Sequence, residues 1–240
     1  MNSYAAPLIG RRLLARAAGA AAGALLLLST AHAVPQAFND PASFNSFVAS
    51  LGGSSQLLDF DSVPTGTVIP SGTAIGGTTF TYSLGDVSLQ VINAFATTTD
   101  GNSLGTDDAW SLQAGDGFSL AFNGPANAVG MYFIVSPESD DLVLGDILIR
   151  ANGFDAELSG GAPLYSLDDG GKVYFLGLGD SSKAFLTASI LTNQACGCFL
   201  YNVDDITTAA VPEPSTLWLL AAGMAGLGLL RRHRSAKRVK

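Results

Sequence analysis

The chain has 240 residues, with 12 Lys and Arg, 20 Asp and Glu and two His, a formal net charge of −8. The balance is uneven: residues 34–210 hold 19 of the acids but only three basic residues, Arg150, Lys172 and Lys183, an excess of sixteen negative charges. Such a stretch repels phosphate backbones, which excludes nucleic-acid binding, and with both His32 and His233 outside it it lacks imidazole for a Ser-His-Asp or Cys-His arrangement or for zinc.

In chain order, the first element is a leader. Arg11, Arg12 and Arg16 form a basic start, an unbroken Ala/Gly/Leu run covers 17–28, and Ala31-His32-Ala33 follows. Basic, apolar and small-x-small parts in that order read as a secretory signal peptide over 1–33, removed by signal peptidase. The run is too short to span a bilayer, which takes about 20 helical residues. Residues 34–210 are then one exported domain.

That domain opens with one short amphipathic helix. Asn39-Asp40-Pro41 supplies cap residues and a Pro for the first turn. Phe44, Phe47, Val48 and Leu51 recur at helical spacing, and Gly52-Gly53 ends the run. Strands are expected at 57–60, 78–83, 87–93, 118–122, 128–135, 142–151, 173–178, 184–191 and 199–206, separated by clusters such as Asp100-Gly101-Asn102 and Asn123-Gly124-Pro125. About nine short strands with turn signals between them predict an all-β fold, a single antiparallel β-sandwich of jelly-roll type. Residues 131–135 are continuously apolar, as in a strand covered on both faces, whereas Phe118, Leu120 and Phe122 alternate with Ser119 and Ala121.

The chain ends with Val211-Pro212-Glu213-Pro214-Ser215-Thr216, an uncharged run over 217–230, and Arg231, Arg232, Arg234, Lys237, Arg238 and Lys240. Basic residues beside an apolar segment stay cytoplasmic, so the rest of the chain lies across the membrane. Gly223, Gly226 and Gly228 weaken the helix by about 1 kcal/mol each against Ala, which suits a transient stop at a transmembrane sorting helix. Together these parts resemble the PEP-CTERM sorting signal of Gram-negative bacteria, over 211–240. That resemblance implies recognition by an exosortase, a membrane cysteine protease. It also implies cleavage near Val211, Pro212, Glu213 and Pro214 after transient anchoring in the inner membrane, and delivery to the envelope, outer surface or extracellular matrix. More loosely, Leu58-Asp59-Phe60-Asp61, Gly76-Gly77-Thr78-Thr79-Phe80 and Tyr201-Asn202-Val203-Asp204-Asp205-Ile206 resemble the uncharacterised β-sandwich domains of PEP-CTERM proteins.

Four residue groups invite a site. Asp59 and Asp61 are two apart in an expected strand, so both project from one face. Asp204 and Asp205 end the last strand. If first and last strands are neighbours, the four carboxylates repel one another unless a Ca²⁺ ion, with its six to eight oxygen ligands, joins them; solvated acids are the plain alternative. Trp110 sits in a turn-rich stretch beside Asp107 and Asp108, where an exposed ring can stack on a sugar; the alternative is a core tryptophan. Glu138 and Glu157 are the domain's only glutamates, and a glycoside hydrolase needs such a pair. Cys196-Gly197-Cys198 allows a local staple or two free thiols. The reading is an exported, non-enzymatic protein with a structural or adhesive role; the alternatives are an exopolysaccharide-binding module and a glycoside hydrolase.

Overall fold

Residues 34–99, 101–193 and 199–211 are described by a computed structural model. Strand β1, Gln36–Phe38, precedes the helix α1, Pro41–Leu51, which has the bounds expected. The Asp40 carboxylate accepts from the amides of Ala42 and Ser43 at 2.9 and 3.1 Å. Gly52 closes the other end at φ 66°, its N–H donating to the Ala49 carbonyl, a left-handed cap that glycine adopts without steric cost.

The chain then forms β2 (Ser55–Leu58), β3 (Val68–Ile69), β4 (Thr73–Ile75), β5 (Thr78–Tyr82), β6 (Leu89–Ile92), β7 (Ser103–Thr106), β8 (Leu112–Gln113) and β9 (Phe118–Ala126). It continues with β10 (Ala128–Val135), β11 (Ile147–Ala151), β12 (Phe154–Glu157), β13 (Tyr165–Ser166), β14 (Lys172–Gly179), β15 (Phe185–Thr192) and β16 (Leu200–Ala209). All pairings are antiparallel. One sheet runs β1-β14-β10-β16-β7-β6-β3, with β13 on β14 and both β2 and β8 on β16; the other runs β12-β11-β15-β9-β5-β4. This is the two-sheet sandwich the pattern called for.

Two expectations shift. The segment 142–151 is strand only from Ile147, because residues 143–146 close a turn: Gly145 sits at φ 84° and the Val143 amide donates to Asp146 Oδ2 at 2.7 Å. The first sandwich strand ends at Leu58, and Phe60 adopts φ 61°. Asp59 and Asp61 therefore lie in a turn, and the argument from strand alternation does not apply to them.

The main core lies between the sheets, with Val129, Met131, Phe133 and Val135 of β10 facing Leu120, Ile149 and Ile190 of the other sheet's strands across one cluster. A second, smaller cluster lies on the outer face of the larger sheet, where Phe38, Phe44, Leu51, Ala128 and Phe175 pack. Strand β10 is thus apolar on both faces because both are covered. Glycine makes the close approach possible: a Cβ on Gly177 would stand 2.6 Å from Phe44 Cδ2, and one on Gly130 2.8 Å from Phe44 Cζ.

Candidate functional site

The other half of that outer face is polar. Strand β16 pairs with β10 from Tyr201 to Asp204 and again from Thr207 to Ala209, with one more residue in β16 than in β10 between those runs. The extra residue is accommodated by a bulge, and Asp205 takes φ 52° there, a left-handed conformation that Asp tolerates better than most residues. Asp204 and Asp205 therefore sit mid-strand, not at its end, because β16 continues three residues beyond the expected Ile206. Asp204 is fully buried and Asp205 only 8% exposed.

Pairing of Ile206 with Leu58 sets β2 beside β16, which brings the Asp59–Asp61 turn toward Asp205. Burial, then the charges of Asp59 and Asp61, raise the Asp205 carboxyl above its ordinary value. Burial also pushes Asp204 up to about 7, with the Asp205 charge adding and hydrogen bonds from Thr98 opposing. Tyr132 and Tyr165 face the same pair; burial raises both phenols, and the two acids raise them further.

The segment that carries Thr98 covers these acids. Thr98 donates its amide to Asp204 Oδ2 at 3.1 Å, and its Oγ1 lies 2.6 Å from Asp204 Oδ2 and 2.8 Å from Asp205 Oδ2. The Asp205 amide donates to Asp204 Oδ1 at 2.8 Å. Asp205 Oδ1 is buried with no hydrogen-bond partner, alone in this among the described side chains. Further along, the Asn102 amide donates to Asp61 Oδ1 at 2.8 Å, and the Asn102 side chain donates to the Val63 carbonyl at 2.9 Å. A Cβ at Gly101 would collide with the Asp61 carboxylate. The segment is also tied to β14's approach, Ala96 donating its amide to Asp169 Oδ2 at 2.9 Å.

Two of the domain's three basic residues are engaged elsewhere. Arg150 pairs with Asp155 through two hydrogen bonds of 2.6 and 2.7 Å, and Lys172 with Asp141 at 2.7 Å. Among the described residues no ion pair reaches Asp59, Asp61, Asp204 or Asp205, and no three of His, Cys, Asp and Glu converge as a metal-holding group. Between helix and covering segment lies a cleft of about 340 Å³, lined by Phe44, Asn45, Gln56, Thr99, Tyr132 and Asp205 among others. Thr98, Asn102 and Tyr132 were not singled out from sequence; the Thr97-Thr98-Thr99 run ahead of Asp100-Gly101-Asn102 is the signal that could have found two of them.

Trp110 lies in the turn between β7 and β8, 56% exposed and at φ 62°. A bulky residue rarely adopts that conformation. Its carbonyl is held by Asn202 Nδ2 at 2.7 Å, and it borders a cleft of about 290 Å³ with Thr65, Gln90 and Asn93. Glu138 lines a different cleft with Gln113, Ser139 and Leu200, while Glu157 ends an edge strand of the other sheet. Cys196, Cys198, the leader and the tail from Pro212 lie outside the described residues.

The tail is identified by comparison. Residues 210–234 match the family described as the PEP-CTERM protein-sorting motif. The chain carries a PEP-CTERM sorting motif. Such motifs mark exported proteins of the cell envelope that are processed by an exosortase, and the motif implies export of this chain. Among solved structures, it is similar to the K2 cleaved adhesin domain of Lys-gingipain at 12% identity and a TM-score of 0.40, over 65% of this chain and all of that one. The K1 cleaved adhesin domain of Lys-gingipain from Porphyromonas gingivalis W83 follows at 10% identity and 0.39, over 66% and 99%. The fold assignment rests on this chain's own strand register. No curated protein matches the chain.

Proposed function

We propose that the sandwich domain is a non-catalytic structural or adhesive component of the cell envelope or extracellular polysaccharide matrix. The observation that carries the reading is the sorting motif at 210–234. Its position supports release without damage to the fold. The domain's final hydrogen bonds run from the Ala210 amide to the Ser54 carbonyl at 3.1 Å and from the Val211 amide to Asn127 Oδ1 at 3.0 Å. Pro212 comes next, so exosortase cleavage near Pro212-Glu213-Pro214 would leave β16 and its partners whole. Signal peptidase would act earlier, near Ala33. In the native host, proteinase added to intact cells should digest the wild-type domain, and the matrix fraction should contain it. A variant with Pro212-Glu213-Pro214 replaced by alanines should stay in the inner-membrane fraction; equal matrix recovery of both would contradict the reading.

Trp110 favours a second reading within the same address, a carbohydrate-binding module for exopolysaccharide. An exposed indole held in a strained turn presents a rigid face for a sugar ring, and Gln90, Asn93 and Thr65 offer hydrogen bonds beside it. Affinity electrophoresis in the host's own exopolysaccharide separates the two. Retarded migration that Trp110→Ala abolishes would support binding, and unretarded wild type would leave the structural role alone.

A further inference from the structure

The covered acids are short of positive charge. Thr98 Oγ1 is within hydrogen-bond distance of both Asp204 Oδ2 and Asp205 Oδ2, yet a hydroxyl has one proton to donate. One of those two contacts is therefore lone pair against lone pair unless something positive enters. Asp205 Oδ1, on a side chain only 8% exposed, has no partner at all. A buried unpaired carboxylate oxygen is destabilising, and Asp59 and Asp61 add two more negative charges on the same side.

Either a proton or a metal cation can fill such a deficit. A single proton can settle the Thr98 contact but supplies no partner for Asp205 Oδ1 and leaves the charges of Asp59 and Asp61 in place. A divalent ion neutralises two and accepts the orphan oxygen as a ligand. Every donor on hand is a hard oxygen, from carboxylates and a hydroxyl, which selects Ca²⁺ or Mg²⁺ over zinc. Calcium tolerates irregular shells completed by backbone carbonyls and water, whereas Mg²⁺ demands near-ideal octahedral geometry. That tolerance matters because fewer than three acids converge on one point among the described residues.

We propose that Asp204 and Asp205, with Thr98 between them and Asp59 and Asp61 at the rim, bind a calcium ion that fastens the segment carrying Thr98 onto β16.

Full-length protein in detergent at pH 8 should bind one calcium per chain in equilibrium dialysis with radioactive calcium. Its melting temperature should rise by roughly 5–10 °C between EGTA and a hundredfold excess of CaCl₂ over Kd. MgCl₂ at the same concentration should raise it less. Asp204→Asn and Asp205→Asn should melt in EGTA no lower than wild type, because each relieves repulsion, and should lose the calcium response. No bound calcium and no shift in the wild type would overturn the proposal. A rise that persists in both variants would overturn it too, placing the ion elsewhere. So would melting in EGTA that falls with rising pH while calcium does nothing, the mark of a shared proton only. If the variants fail to fold, dialysis and melting of the wild type decide the matter.

Discussion

The outer face of the larger sheet is covered twice, by different means. Over one half, helix α1 lowers Phe44 onto Gly130 and Gly177 and completes a small aromatic cluster with Phe38 and Phe175, ring centroids 5.8 and 5.3 Å from Phe44. Over the other half, the segment that carries Thr98 covers Asp204 and Asp205 through hydrogen bonds. The first cover rests on area removed from water, which neither pH nor ions alter. The second rests on hydrogen bonds to buried carboxylates whose protonation changes with pH. One sheet face thus has a constant half and a conditional half.

The sharpest way to break this contrast is to empty the apolar half. Phe44→Ala should destabilise by about 3–5 kcal/mol, read as a lower urea midpoint, by a similar amount at pH 5 and pH 8. Gly177→Val attacks the same contact from below, and the crowding should cost about 1–3 kcal/mol. Thr98→Val tests the polar half. It removes the one hydroxyl donor that the two acids share and should cost about 1–3 kcal/mol at pH 8. The penalty should be smaller at pH 5, where a protonated carboxyl can donate to its neighbour.

The pH response itself follows from the raised Asp204 and Asp205. A carboxyl that binds its proton more tightly folded than unfolded contributes stability that is fully present below the unfolded value near 4. That contribution is lost as pH rises through about 7. In EGTA, melting temperature should therefore fall from pH 4.5 to pH 8, and Asp204→Asn should flatten the slope. A wild-type curve no steeper than the variant's would place the pH response outside this pair. Smallest of all, Arg150→Ala should leave melting essentially unchanged, since its ion pair with Asp155 is exposed, the two side chains 52% and 33% accessible.

The apolar half was legible in the sequence because its signals are local. Asp40, Pro41 and Gly52 bound the helix, and Phe44 and Leu51 fall on its buried side. Strand β10 was equally plain, since an apolar run over 131–135 fits a strand with two covered faces. Short edge pieces such as β3, β8 and β13 escaped because two residues carry no alternation to read. The polar half was only partly legible. That Asp59, Asp61, Asp204 and Asp205 belong to one neighbourhood follows from pairing the first and last long segments. Their placement in a turn and on a bulge does not, because the left-handed conformations of Phe60 and Asp205 depend on strand register far away in the chain. The part played by Thr98 depends on a long-range hydrogen bond that no spacing announces.

The tail lies beyond both halves, and it bears most on what the protein does. Strand β16 lies between β10 and β7 in the larger sheet, so whatever happens at Pro212 happens a few residues from the core. Intact-mass spectrometry of the protein recovered from its native host tests the exported, processed domain most directly. The expected species begins near Val34 and ends close to Pro212. A species that retains the sequence through Lys240 at steady state would contradict it.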